Sequence, residues 1–469
     1  MNRWTIAVAG TLLQLCLGTV YAWSMFQNDL VKDYGWTNTE AVITFSLAIG
    51  FLGATAAWGG VKLRKYGPRK LAVTGGVLFG LGFLVAGAAL LLSGPMEEGV
   101  ARTAGVFGHK LPSLLLMYLG YGVIGGVGLG LGYVTPVATV AKWFPDRKGL
   151  VTGMVVMGFG FGAVLMSLVL QPVVSWLVGG NYGYMFLIFG GLFIVAAPLV
   201  ASVLRNPPDG WLPPQGRAAT GASRSAPAAA VAVGKDIDHD TGRCVGSVRF
   251  VLLWVMFGCN IFAGIAIVSL QKPLIIDIYK AYAPGSAADL AAIGAMLVAV
   301  SSLFNGVGRF FWGGLSDRIG RTNAFRLMLA TQILAFVGLI FVNNPYQFGA
   351  LVCYILLCYG GGFGTMPSFV LDVFGAKKMA VVYGAILTSW AAAGIAGPTI
   401  FGMIRDANVD NFDHARAVAF TIAAATLGLG LVISLLLSDN AFRCGKSGLA
   451  AGCDAACPKA ACPKETAAV

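Results

Sequence analysis

Arg309 stands in the stretch AAIGAMLVAVSSLFNGVGRFFWGGLSD, and no acidic residue falls between Asp289 and Asp317. An ionised side chain inside a membrane span costs roughly 3 kcal/mol on insertion scales, so it marks a substrate or ion site by default. Arg309 lies eight residues before Asp317, about 12 Å at helical rise, which sets it near the middle of a ~30 Å hydrocarbon core. A long side chain can snorkel a few ångströms but does not reach water from there. All twenty Asp and Glu fall in loops, in the tail or at span ends, Asp317 and Asp372 being nearest the core. A structural pairing of Arg309 with carbonyls or with an acid on another helix is the alternative to a transported anion. The acid census favours the anion, and a planar guanidinium fork suits a carboxylate better than an ammonium does.

Three further side chains can meet Arg309 at that depth. Asn305 is one helical turn earlier and shares its face at i, i+4. Tyr21 precedes Asp29 by eight residues and Tyr133 precedes Lys142 by nine, so each lies within about 14 Å of a span end. Phenolic hydroxyls donate well to a carboxylate in a dry site. Each of the three also has a packing role as its plainer alternative.

The elements that must hold these residues are transmembrane helices. Of the 469 residues, 57% are hydrophobic and 11% charged, and 65 are glycine; that combination fits helices packed closely in lipid rather than a soluble domain. Twelve apolar runs are long enough to span: 5–27, 38–60, 70–93, 113–141, 149–174, 183–204, 248–271, 289–314, 324–343, 347–371, 379–402 and 417–438. The first is too long for a secretory h-region and leads into further spans, so it is read as a retained helix. The Ala/Pro/Gly/Ser-rich segment between the sixth and seventh reads as a flexible linker. The expected domains are therefore an N-terminal six-helix half (1–204), a cytoplasmic linker (205–247), a C-terminal half (248–440) and a Cys-containing tail (441–469).

The formal net charge of +12 is spread over loops rather than gathered in a patch, which argues for orientation by positive charge and against nucleic-acid binding. Nineteen Lys and Arg follow the even-numbered spans. Only Lys32, Arg102, Lys110, Lys272, Lys280, Arg405 and Arg416 are assigned to the opposite loops. By the positive-inside rule both termini and the linker face the cytoplasm, in a multi-pass protein of the cell membrane.

The halves echo each other. Gly313-Gly-Leu-Ser-Asp317-Arg318-Ile-Gly320-Arg321 follows span 8, and Gly60-Val-Lys-Leu-Arg64-Lys65-Tyr-Gly67-Pro-Arg69 follows span 2, with Arg64 where the acid would stand. Trp143-Phe144-Pro-Asp-Arg147-Lys148 after span 4 matches Val373-Phe374-Gly-Ala-Lys377-Lys378 after span 10. This repeated turn resembles the major facilitator superfamily over residues 1–440. More narrowly, Gly18-Thr-Val-Tyr21-Ala-Trp23-Ser-Met-Phe26, Gly132-Tyr133-Val-Thr-Pro136 with Lys142-Trp143-Phe144-Pro145, and Asn305-Gly-Val-Gly-Arg309 resemble the oxalate/formate antiporter family, itself similar to the monocarboxylate transporters.

The resemblance implies an all-α carrier of two pseudo-symmetric six-helix halves, with its site between them at mid-membrane. It implies gating turns at Asp317, Arg318, Arg321 and Arg64, and substrate-lining tyrosines at Tyr21 and Tyr133. In the monocarboxylate transporters the position of Asn305 holds an acid linked to proton handling; here it is an amide. The oxalate carriers resembled here have a second cation, a lysine, near Trp390. This chain has none there, which favours a monoanion and leaves Trp390 as a candidate cavity wall.

Other signals point away from chemistry. Gly125-Gly-Val-Gly128-Leu-Gly130-Leu-Gly132 has no preceding strand and no following Lys-Ser/Thr, so it reads as close helix packing and not a phosphate loop. His109, His239 and His414 are in loops, and no span carries paired carboxylates or a nucleophile with its base; no enzyme and no cofactor are expected. Cys444, Cys453, Cys457 and Cys462 lack tight C-x-x-C knuckles, so they are weak metal candidates in a tail read as disordered. The expected function is a monomeric secondary transporter of a small organic monoanion such as lactate, with a proton as co-substrate. An oxalate/formate-type antiporter is the alternative, and a non-transporting carboxylate sensor a more remote one.

Overall fold

Apolar runs in lipid must satisfy their backbone internally, which leaves the helix as the spanning element here. The computed structural model describes residues 2–93, 106–144, 148–208, 211, 242–284, 289–375 and 378–439, and twelve spanning helices account for most of them. α1 runs Arg3–Leu17, tightens into a 3-10 turn over Gly18–Ala22 and continues as Trp23–Tyr34. One continuous segment, Asn38–Ser93, contains α2 and α3, broken at Gly67. α4 comprises Val106–Met117, a π-type stretch Tyr118–Gly125 and Gly126–Trp143. α5 comprises Lys148–Leu165, Met166–Leu170 and Gln171–Leu177, and α6 is Tyr182–Ala201. The second half consists of α7 (Val248–Tyr282), α8 (Leu290–Ile319), α9 (Arg321–Phe341), α10 (Pro345–Phe374), α11 (Met379–Ala407) and α12 (Phe412–Leu435).

Local chemistry starts several of these helices. Asn181, Ser247, Asp289, Asn344 and Asn411 each accept a backbone N–H of the first turn of α6, α7, α8, α10 and α12, the usual N-cap satisfaction of orphan donors. The repeated turns share one backbone conformation. Gly67 (φ 76°, ψ 163°) and Gly320 (φ 89°, ψ 151°) hold the α2–α3 and α8–α9 corners, and Gly375 (φ 83°, ψ 161°) ends α10 in the same way. This region is essentially open to glycine alone.

The halves meet along helix pairs on which glycine brings the backbones together. α2 packs along α11, where a Cβ on Gly53, Gly60 or Gly384 would strike a backbone carbonyl across the seam. α5 packs along α8, where Gly160 faces Gly306. The linker assigned to 205–247 is described only at 205–208, 211 and 242–247, and the tail with Cys444, Cys453, Cys457 and Cys462 lies outside the described residues.

Candidate functional site

The site is built by how closely helices approach α8. A Cβ on Gly360 or Gly364 of α10 would collide with the α8 backbone at Asn305 and Arg309, and one on Gly308 would meet the Leu357 carbonyl. The glycine-rich run of α10 therefore lays Phe363 over the Arg309 guanidinium and brings Tyr359 into its electrostatic neighbourhood. Gly18 packs against the Phe159 carbonyl and Gly162 against Gly18, so the 3-10 turn of α1 brings Tyr21 to the same point. Gln14 of α1 donates to the Tyr133 carbonyl at 3.1 Å, fixing α4 beside α1.

Arg309 is fully buried. Its Nε donates to Asn305 Oδ1 at 3.3 Å, Nη1 to the Val156 carbonyl at 3.2 Å and Nη2 to the Tyr21 hydroxyl at 3.4 Å. A guanidinium has five N–H donors; beyond these three bonds, one N–H on each terminal nitrogen makes no hydrogen bond of good geometry, the pair a carboxylate takes in bidentate fashion. Among the described residues no carboxylate lies within ion-pair distance. The Arg309 Cζ lies 4.8 Å from the Phe363 ring centroid, 5.4 Å from that of Phe159 and 5.9 Å from that of Tyr21, a cation–π enclosure that holds the charge without neutralising it.

Around the guanidinium lies an aromatic shell. The Tyr21 and Tyr359 hydroxyls are 2.7 Å apart. Trp390 is fully buried, with its ring centroid 4.5 Å from Phe363, 5.1 Å from Tyr133, 5.7 Å from Phe159 and 6.3 Å from Tyr21. The Tyr133 and Tyr383 hydroxyls are electrostatic neighbours of each other and of Arg309, yet neither forms a hydrogen bond of good geometry, and Trp390 Nε1 has no partner either. Buried donors left unpaired cost about 1–3 kcal/mol each, so a ligand that accepts from them is favoured here.

The five residues expected at mid-membrane are thus brought together. The turn residues divide. Arg321, nearly buried, joins Asp317 at 2.5 Å, Asp372 at 3.1 Å and Ser316 Oγ at 2.5 Å. The Asp317 carboxylate also rests on Gly149 at the start of α5, where a Cβ would fall 2.7 Å from Oδ2, a position favoured by the helix dipole. Arg318 and Arg64 are exposed and form no hydrogen bond or ion pair among the described residues.

The sequence reading missed Tyr359, Tyr383, Phe159 and Phe363. Tyr359 had a signal: it opens the α10 glycine run before Pro367, as Tyr133 stands in the α4 glycine run before Pro136. Several loop assignments are corrected: His109 lies in α4, Lys280 in α7, Arg405 in α11, and His414 and the buried Arg416 in α12. Lys272 is not a loop residue; it lies inside α7 and is 5% exposed, because Pro273 does not end the helix there.

A family model described as Major Facilitator Superfamily matches residues 8–398. The oxalate:formate antiporter of Oxalobacter formigenes is 27% identical, covering 92% of this chain and 90% of its own. The apicoplast pyruvate carrier 1 of Toxoplasma gondii is 27% identical over 84% and 82%, and mouse monocarboxylate transporter 14 is 20% identical over the same shares. Among solved structures, the partially occluded, inward-open xylose transporter XylE from E. coli superposes with a TM-score of 0.65 at 15% identity, covering 93% of this chain and 99% of that one.

Proposed function

Because the chain belongs to the Major Facilitator Superfamily, we propose that it is a secondary transporter of small monocarboxylates of the lactate type, working by alternating access in symport with a proton. The observation that carries this reading is Arg309: a fully buried guanidinium with two N–H groups to spare and no carboxylate paired to it among the described residues. A bound carboxylate neutralises that charge, which lets the halves rock around it with no bare ion facing the hydrocarbon. The unpartnered Tyr133 and Tyr383 hydroxyls suit a second oxygen on the substrate, such as the hydroxyl of lactate. Asn305 holds Nε and orients the fork, while Trp390 walls the site.

One cation matches one carboxylate. α11 carries no Lys or Arg between Val381 and Ile404, so a dianion brings a charge that this site does not balance. Similarity to an oxalate:formate antiporter and a pyruvate carrier supports a small organic anion. A single chain encloses the whole constellation, which supports the monomer as the transporting unit. The excess of Lys and Arg beside the even-numbered turns supports cytoplasmic termini, and the Arg321–Asp317–Asp372 knot with its contact to α5 supports a gating role for that face.

The test is uptake of labelled lactate into proteoliposomes under an imposed proton gradient. Arg309→Ala and Arg309→Lys are expected to abolish uptake while the protein still inserts and extracts as a folded monomer; undiminished uptake sinks the reading. A second reading, oxalate/formate-type exchange, is favoured by the antiporter relative. Counterflow of labelled oxalate with no response to the proton gradient selects it, and carboxylate binding without any flux selects a sensor.

A further inference from the structure

Lys272 is a second buried cation at a contact between the halves. Its stem lies against α8 at Gly294, where a Cβ would fall 2.6 Å from Lys272 Cγ. Gly294 precedes Arg309 by fifteen residues, which separates the two cations by roughly 22 Å along α8, toward the face opposite the termini. The side chain is 7% exposed, and its ammonium crosses to the other half to donate to the Met25 carbonyl of α1 at 2.8 Å.

That ammonium is poorly satisfied. It has three donors, one of which serves a neutral carbonyl. The nearest carboxylate oxygen, Asp29 Oδ2, is 3.9 Å away, beyond hydrogen-bond range, and already accepts from the Tyr182 hydroxyl at 2.6 Å. The other acid that acts on Lys272 is Asp289, whose carboxylate caps the first turn of α8 through Ala291 and Ala292. Asp29 therefore holds Lys272 only in a long ion pair shared with Tyr182, and Asp289 is committed to the α8 cap.

Polar groups continue inward from this point. Gln271 accepts from Ser301 at 2.6 Å and leaves its Nε2 without a partner. Ser301, Asn305 and Arg309 then recur at i, i+4 and i+8 on the buried face of α8. On α1, Ser24 stands one turn beyond Tyr21, buried and with an unpartnered hydroxyl. Two buried polar groups without a partner call for an explanation, and together with the hydrogen-bonded Ser301 and Asn305 they form a polar seam between the two cations that points to an anion path.

We propose that Lys272 is a second carboxylate-binding station, at the mouth of the route opposite the termini, from which the anion passes along this seam to Arg309. An arriving carboxylate takes the two spare ammonium donors in competition with Asp29, and in doing so loosens the Lys272 tie to α1. The station rests on the carrier reading given above, and the two fail separately. Loss of all lactate uptake by the wild type ends the carrier reading, whereas Lys272 variants are compared within a transporter that works.

The experiment measures KM and kcat for labelled lactate presented to the face opposite the termini, for wild type, Lys272→Gln, Lys272→Arg and Asp29→Asn. The station predicts an increase in KM of about tenfold in Lys272→Gln, the scale of electrostatic focusing, with kcat held and KM recovered in Lys272→Arg. Asp29→Asn removes the competitor and lowers KM. An ionic latch without anion binding gives the opposite pattern, in which Asp29→Asn and Lys272→Gln shift kcat alike. That pattern, or an unchanged KM in Lys272→Gln, overturns the proposal. Should Lys272→Gln fail to fold, the sign of the Asp29→Asn effect still decides.

Discussion

Tyr133 and Tyr383 lie beside Arg309 with hydroxyls that make no hydrogen bond of good geometry, whereas Tyr21 and Tyr359 are paired at 2.7 Å. The two pairs should respond differently to loss of an oxygen. Tyr133→Phe is expected to raise KM for lactate about five- to tenfold, the value of one hydrogen bond near 1 kcal/mol, and to leave KM for propionate unchanged, since propionate offers no second oxygen. Equal effects on both substrates would assign Tyr133 to packing. Tyr359→Phe removes the bond that steadies Tyr21 under Nη2, so it should weaken both substrates alike. Uptake kinetics with the two labelled acids read both outcomes. Arg309 itself was legible because a charge in an apolar run has few explanations. The paired and unpaired states of the tyrosines were not, because they depend on atoms from helices hundreds of residues apart.

At the scale of the element, corner glycines and seam glycines do different work. Gly320 adopts φ 89° at the α8–α9 turn, so Gly320→Ala forces a side chain into a region essentially reserved for glycine, at about 1–3 kcal/mol. A lower unfolding midpoint in a thermal scan, with lactate KM unchanged, is the expected result. Gly364 is a helical glycine packed on the Arg309 carbonyl. Gly364→Ala must push α10 from α8, so it should raise KM as well as lower the midpoint. The repeated turns announced these corners in the sequence through matched Gly spacing. The seam glycines were legible only as small residues, since nothing in one helix tells which neighbour it must approach.

For the molecule as a whole, the halves are tied on both faces. On the terminal face Asp317 meets the start of α5. On the other, Asp406 of α11 accepts from Asn38 Nδ2, from the Thr39 N–H and from the Thr39 hydroxyl at 3.0, 2.9 and 2.5 Å, capping the start of α2 across the seam. Removing an N-cap costs about 1 kcal/mol, a factor of roughly five in a two-state equilibrium. Asp406→Ala should therefore shift the carrier toward opening on that face. A thiol reagent applied there is expected to label Ser24→Cys about five times faster in the Asp406→Ala background, and unchanged labelling would remove Asp406 from the gate.

The sequence by itself determined the twelve spans, their grouping by sixes, the repeated corners and the one cation set within an apolar run. Each follows from a local cost: backbone polarity in lipid, glycine-only dihedrals, or a charge without water. Tertiary structure decided what surrounds that charge. It brought Tyr359, Tyr383 and Phe363 to Arg309 through glycine contacts between helices, and it moved Lys272 from an assumed loop to a buried place between the halves. Those outcomes turn on the close approach of distant segments, which a helix reports only once its neighbours are in place.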